Sequence, residues 1–258
     1  MKIADAIKSS FGFFTIIPVK DDKFDRGALN FMWFQYMLAG IFAAIIYIIL
    51  SLFLNFYLAA VVAFISIGIF LGIQNVDALA DFGDGLMKRG SPDERFAVMK
   101  TPETGTGGIF SVFSVYVISI AALLSLKGVN LIYGIIFGQL NSALWMVVII
   151  SRNKTRDTGF AHYFSEITGS RKFLVWNILP ILIVLIIFFP ELLLIFLISV
   201  CASLLFRIYS VKVFGAINGD ITGASGEIGR MTSLVLMNAG ILILNPGFNL
   251  LPYLFHLP

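Results

Sequence analysis

The chain is predicted to be all-α: a polytopic membrane helix bundle of about seven transmembrane helices, with an N-terminal helix lying at the membrane interface. Three observations predict this class. Of 258 residues, 59% are hydrophobic and only 13% charged, too little polar surface to cover the core of a soluble domain of this size. The mean hydropathy is +0.94. Apolar runs of about 18 residues or more recur along the chain, and a run of that length crosses a bilayer as a helix. No soluble domain, fixed-period repeat or low-complexity tract interrupts them, so residues 1–258 read as a single integral membrane domain.

The elements follow in order. The opening MKIADAIKSSFGFFTIIPVK has an apolar part, Phe11 to Val19, too short to span. The charged KDDKFDR follows it in place of a small-residue cleavage site, which predicts an interfacial amphipathic helix ending near Pro18 rather than a signal peptide. Spans are expected at about 31–54, 57–76, 108–126, 129–150, 173–189, 192–206 and 231–245. Breaks at Asn55–Phe56, Lys127–Gly128 and Pro190–Glu191 join them in pairs, and longer polar segments cover 77–107, 151–172 and 207–230. These three segments and the stretch before the first span hold 17 of the 18 Lys and Arg residues. All four fall on one side if the N-terminus is cytoplasmic, the arrangement that the positive-inside rule favours. Fourteen of the fifteen acids lie there too, which puts any charged site at the cytoplasmic face of the cell membrane. A net charge of +3 gives no argument for nucleic acid. The one cysteine, Cys201, sits in an apolar run, can form no internal disulfide and is expected to be a buried small apolar residue.

The acids carry the chemistry. NVDALADFGDG, Asn75 to Gly85, sets Asp77, Asp81 and Asp84 at i, i+4 and i+7. On a helix these point within about 60° of one another over about 10 Å of axis. Like charges so spaced repel, and a divalent cation among them would resolve the repulsion. Oxygen ligands suit Mg²⁺ or Mn²⁺, with substrate phosphates and water completing the shell, and such an ion suits phosphoryl transfer. Gly83 and Gly85 are expected to leave room for a ligand. The apolar opposite face (Val76, Leu79, Ala80, Phe82) speaks against the alternative of a solvated acidic helix end. In GDITGASGEIGR, Gly219 to Arg230, Asp220 and Glu227 are two turns apart on one face, and small residues such as Gly223 permit close approach of a ligand or, equally, of another helix. In MKTPETGTGGIF, Thr104, Gly105, Thr106 and Gly107 resemble a backbone nest that could offer N–H groups to phosphate, although Gly-Thr loops are common before helices and no Walker pattern is present. Arg152 and Lys154 read as flanking charge, whereas Arg156 is a candidate phosphate ligand. His162 and His256 lack zinc spacing, and no Gly-x-Ser-x-Gly elbow occurs.

These stretches resemble the cobalamin synthase family, the adenosylcobinamide-GDP ribazoletransferases. VDALADFGDGL (Val76 to Leu86), ERFAVMKTPETGTGG (Glu94 to Gly108) and GDITGASGEIGR carry the likeness, and FFTIIPV (Phe13 to Val19) is similar to the family's opening. The resemblance runs through nearly the whole chain in the same order. It implies a Mg²⁺-dependent membrane enzyme of late cobalamin assembly that joins adenosylcobinamide-GDP to α-ribazole or its 5′-phosphate and releases GMP, with chemistry related to the CDP-alcohol phosphotransferases. On this likeness Asp77, Asp81 and Asp84 bind metal, and Asp220 and Glu227 face them as ligands or support. Asp84 is the expected base with Asp81 as the other catalytic acid, and Lys100, Arg156 and Arg230 hold phosphate charge. Two positions depart from the family: Thr101 stands where an aspartate is usual, and Asn75-Val76-Asp77-Ala78 where His-Leu-Asp-Gly is frequent. A phospholipid-making CDP-alcohol phosphotransferase is the nearest rival, but its Ala-Arg is absent near Asp77 and Asp84. A cation transporter would carry its acids inside spans rather than at one membrane face. Metal number and any homo-oligomer stay open at this level.

Overall fold

The computed structural model describes residues 3–19, 24–152, 155 and 160–244. In chain order the helices are α1 (Ile3–Phe14), α2 (Met32–Leu50, entered through a 3₁₀ turn at Arg26–Phe31), α3 (Phe56–Phe70), α4 (Gln74–Met87), α5 (Pro92–Val98), α6 (Thr106–Ser125), α7 (Val129–Ile150), the single turns α8 (Phe160–Tyr163) and α9 (Ser165–Thr168), α10 (Arg171–Phe188), α11 (Leu193–Phe214) and α12 (Gly219–Leu244). Short polar residues set several of the starts. Asn55 accepts from the Leu58 N–H at 3.0 Å before α3, and Ser170 from that of Phe173 at 3.1 Å before α10. Ser91 and Glu94 form a reciprocal capping box around Pro92 at α5, satisfying N–H groups that a helix end otherwise leaves unpaired.

Among the described residues, five helical stretches are long and apolar enough to cross a membrane: Arg26–Leu50, Thr106–Ser125, Val129–Ile150, Arg171–Phe188 and Pro190–Phe214. The bent pair α3 and α4 makes a sixth if it is taken as one span. The exact count of seven is not confirmed among the described residues, and two of the expected spans take another form. The segment read as one span at 57–76 breaks after Phe70, where Gly72 (φ 75°) and Ile73 (φ 63°) adopt left-handed backbone and turn the chain by 88°. The segment read as a span at 231–245 is the far part of the 26-residue α12, whose first turns carry the acids.

α7 is the axis of the bundle. Every residue from Phe137 to Ile150 is buried, with α2, α10, α11 and α12 packed around it. Hydrogen bonds link it to α11: the Trp145 indole N–H donates to Ser199 Oγ at 2.8 Å, and Ser199 donates to Asn141 at 3.0 Å. Such bonds join helices where lipid supplies little hydrophobic drive between them. The outward faces are apolar, for example Ile49, Phe113, Ile186 and Leu205. Cys201 belongs to that outer surface and is exposed, not buried, because an apolar residue on the rim of a bundle is solvated by lipid. α1 ends at Phe14, short of the expected Pro18. It buries Ala6, Ser9, Ser10 and Phe14, packing against the 3₁₀ turn and α2, and the Ile16 N–H donates to the Phe70 carbonyl at 3.0 Å. One face of this helix is therefore committed to the protein.

Candidate active site

α4 lies between α6 and α12, and its two faces diverge as the spacing predicts. Leu79 and Phe82 are buried with Phe96, Met99, Phe214 and Ile221 in a small apolar cluster separate from the main core. Asp77 is exposed, and Asp81 and Asp84 are partly so. Glycines set the helix spacing. A Cβ on Gly223 of α12 would sit 2.6 Å from that of Ala78, and one on Gly107 would sit 2.9 Å from the Gly83 carbonyl. Gly85 faces the Met99 side chain and the Arg95 carbonyl. Gly83, Gly85 and Gly107 thus serve helix packing and do not open a path for a ligand. Gly223 does both jobs, since it also lines a cavity beside α4.

This packing brings Asp220 to the α4 acids. The carboxylates of Asp220, Asp77 and Asp84 all act on Asp81. Burial pushes the Asp220 carboxyl above the usual carboxylate range; the Asn218 amide, donating at 2.7 Å, pulls it down, Asp77 pushes it up, and the Lys100 charge pulls it down. Asn218 also accepts from the Ile221 N–H at 2.9 Å, so one side chain caps α12 and orients its first acid. Lys100 extends over the Phe96 ring, 5.5 Å from its centroid. Among the described residues, no three His, Cys, Asp or Glu side chains converge closely enough to hold a metal ion by themselves.

Asp84, Glu227 and Arg230 each have partners within the protein. Asp84 accepts from the Gly105 N–H at 2.7 Å and the Gly108 N–H at 2.8 Å. Both its oxygens thus hold the start of α6, and the loop N–H groups expected to cradle phosphate already hold a carboxylate. Thr104 and Thr106 are exposed beside it. Glu227 is ion-paired with Arg230, and both are buried. The guanidinium lies over Phe64 at 4.6 Å and Tyr116 at 5.4 Å. The pair was expected to split between metal and phosphate; it closes on itself because a charge in the bundle interior is costly unless matched. Arg156, like Lys154 and His256, lies outside the described residues.

The Asn218 cap and the Glu227–Arg230 pair leave a local signal in the sequence. Asn218 stands just before the helix, as an N-cap should, and Glu227 and Arg230 are three apart, the spacing of a helical ion pair. Tyr36 carried no such signal. Its hydroxyl accepts from the Asn75 amide at 2.6 Å, a contact between residues 39 apart in sequence.

The family model of cobalamin-5-phosphate synthase matches residues 6–238. The chain is 33% identical over 228 residues to the adenosylcobinamide-GDP ribazoletransferase of Pyrococcus abyssi, covering 88% of this chain and 94% of that one. It is 31% identical to the protein of the same name from Pyrococcus furiosus, over 90% and 98% of the two chains, and 32% identical to that of Archaeoglobus fulgidus, over 86% and 91%. No solved structure matches the chain. The chain belongs to the cobalamin-5-phosphate synthase family, a family of transferases of cobalamin synthesis.

Proposed function

We infer that this chain joins adenosylcobinamide-GDP to α-ribazole, or to α-ribazole 5′-phosphate, and releases GMP. The observation that carries the reading is the meeting of Asp77 and Asp81 with Asp220, from helices far apart in sequence, beside a cationic Lys100. Asp77, Asp81, Asp84 and Asp220 put four carboxylates in one field, an arrangement unfavourable by itself that suits a protein meeting a cation and a pyrophosphate together.

The donor set is oxygen only, which fits Mg²⁺ and admits Mn²⁺. Mg²⁺ is commonly held by one or two carboxylates with substrate phosphates and water making up the rest, so the lack of a three-acid cage fits that mode. Asp77 and Asp220 would hold the ion. When bound it neutralises pyrophosphate charge and eases departure of GMP. Lys100 offers a second positive charge to the phosphates. A ribazole hydroxyl attacks the cobinamide-side phosphorus: the new O–P bond forms, the bridging P–O bond breaks, and its electron pair leaves with GMP. Asp81 takes the hydroxyl proton as general base. Asp84, expected in that role, instead fixes α6 against α4 and so shapes the site. The clustering of basic residues in the segments around the acids supports a cytoplasmic active site.

The test is GMP release by the purified full chain given adenosylcobinamide-GDP, α-ribazole and Mg²⁺. Release should stop with EDTA and return with added Mg²⁺. Metal-dependent ion flux through proteoliposomes without GMP release would sink the reading and favour a transporter.

A further inference from the structure

Beside the acid cluster lies a cavity of about 230 Å³. It is built by five parts of the chain that sequence separates widely: Phe13 and Phe14 of α1, Met32 of α2, Asn75 of α4, Met146 of α7 and Asp220 of α12. We propose that this cavity is the acceptor subsite and takes the planar aromatic base of α-ribazole, a role that rests on the ribazoletransferase reading above.

Size excludes the larger substrate. Cavities that bury a drug-sized ligand run to about 300–1,000 Å³. This one is smaller, so it suits a single bicyclic base and cannot enclose a corrin macrocycle. The wall chemistry agrees. Two phenylalanine rings and two thioethers offer a soft, polarisable surface to an aromatic ring, through ring–ring and sulfur–ring contacts. Phe13 and Phe14 stand edge to face, 4.8 Å between centroids, and Phe14 packs in the same manner on Tyr36 at 6.4 Å.

The donors of Asn75 and Thr222 in the wall are already engaged, which leaves the acceptors of a guanine without partners there. Guanine has a polar edge that must be matched when buried. Here the Asn75 amide already donates to Tyr36 at 2.6 Å, with a longer contact to the Met146 sulfur at 3.9 Å, and the Thr222 hydroxyl donates to the Asn218 carbonyl at 2.8 Å. Gln74 is exposed at the rim. An apolar base without a Watson–Crick edge asks less of such walls. Location fits too, because Asp220 belongs both to the cavity and to the acid cluster. A nucleoside whose base fills the cavity presents its sugar hydroxyls toward those carboxylates.

The experiment measures both KM values for GMP release in wild type, Phe13→Ala and Phe13→Leu, using the full chain in detergent. Loss of the ring should raise KM for α-ribazole about tenfold in Phe13→Ala and by less in Phe13→Leu, while KM for adenosylcobinamide-GDP holds. An unchanged acceptor KM in an active variant overturns the proposal. So does a rise in the donor KM alone, which would seat guanine or the corrinoid there, or an equal rise in both, which would mean a general distortion. If Phe13→Ala does not fold, the volume-retaining Phe13→Leu decides by the same criterion. A wild-type protein that releases no GMP sinks the functional reading itself, whereas an active wild type with unmoved acceptor KM sinks only the subsite.

Discussion

Two acids on α12 stand seven residues apart and meet opposite fates. Asp220, in the first turn, joins Asp77 and Asp81 in a cluster of like charge whose Asp77 is exposed. Glu227, about 10 Å further along the axis, is buried and paired with Arg230 under the rings of Phe64 and Tyr116. The difference follows from depth in the bundle. Where water and ligand can reach, unmatched carboxylates are tolerated and stay available to a cation. Where they cannot, a charge survives only with its counter-charge beside it. The outer cluster gathers like charge at a cost in stability, as would suit the proposed function, and the inner pair is matched within the same helix.

Substitutions can break or sharpen that contrast. The largest effect is expected at Asp81. Asp81→Asn should cut GMP release by about 10²–10⁴-fold, the usual worth of a positioned general base, while thermal unfolding of the detergent-solubilised protein stays level or improves as repulsion is relieved. A fall in stability would show that the outer acids support the fold. The inner pair should behave in the reverse sense. Arg230→Met strands Glu227 and should cost about 3–5 kcal/mol in unfolding free energy, and the double change Arg230→Met with Glu227→Leu should recover most of it. If the double variant is no better than the single one, the pair does more than balance charge.

Smaller changes test the frame between the two. Gly223→Ala would force α12 away from Ala78, an overpacking cost of about 1–3 kcal/mol, and should lower turnover by parting Asp220 from α4. Asp84→Asn removes a charge from the start of α6 and should cost about 1 kcal/mol, read by hydrogen exchange at Gly105 and Gly108. Its loss of turnover should be smaller than that of Asp81→Asn, and a larger loss would return the role of base to Asp84. The slightest effect is at the exposed Glu94, whose carboxyl the Ser91 N–H and hydroxyl hold below its usual range. Its support of α5 is present above the unfolded-state pKa and is lost as pH falls through the lower folded one. Exchange at the α5 amides should therefore quicken on acidification, and Glu94→Gln should blunt the change.

Much of this was legible from local pattern. The spacing of Asp77, Asp81 and Asp84 predicts one helical face, and the Leu79 and Phe82 side is buried as its apolarity requires. What misled was reading residues as free when the fold had partners for them. The Gly-Thr loop looks like a phosphate nest because its N–H groups are unpaired in any local view, and Asp84, more than twenty residues earlier, supplies the anion. Glu227 looks like a ligand because it shares a face with Asp220, and a helical pattern does not state depth. The 88° bend at Gly72 and Ile73 was missed since hydropathy runs on through it.

By itself the sequence determined the all-helical membrane class, the segments in which charge gathers, the acid-bearing stretches and the family, because composition and i, i+4 periodicity are local properties that survive without contacts. Only the tertiary structure decided which acids remain available, that Phe13 and Phe14 reach a cavity shared with Asp220, and that Glu227 and Arg230 cancel each other. Those outcomes depend on which helices touch and how closely, and the close approaches at Gly83, Gly107 and Gly223 exist only once α4, α6 and α12 are packed together.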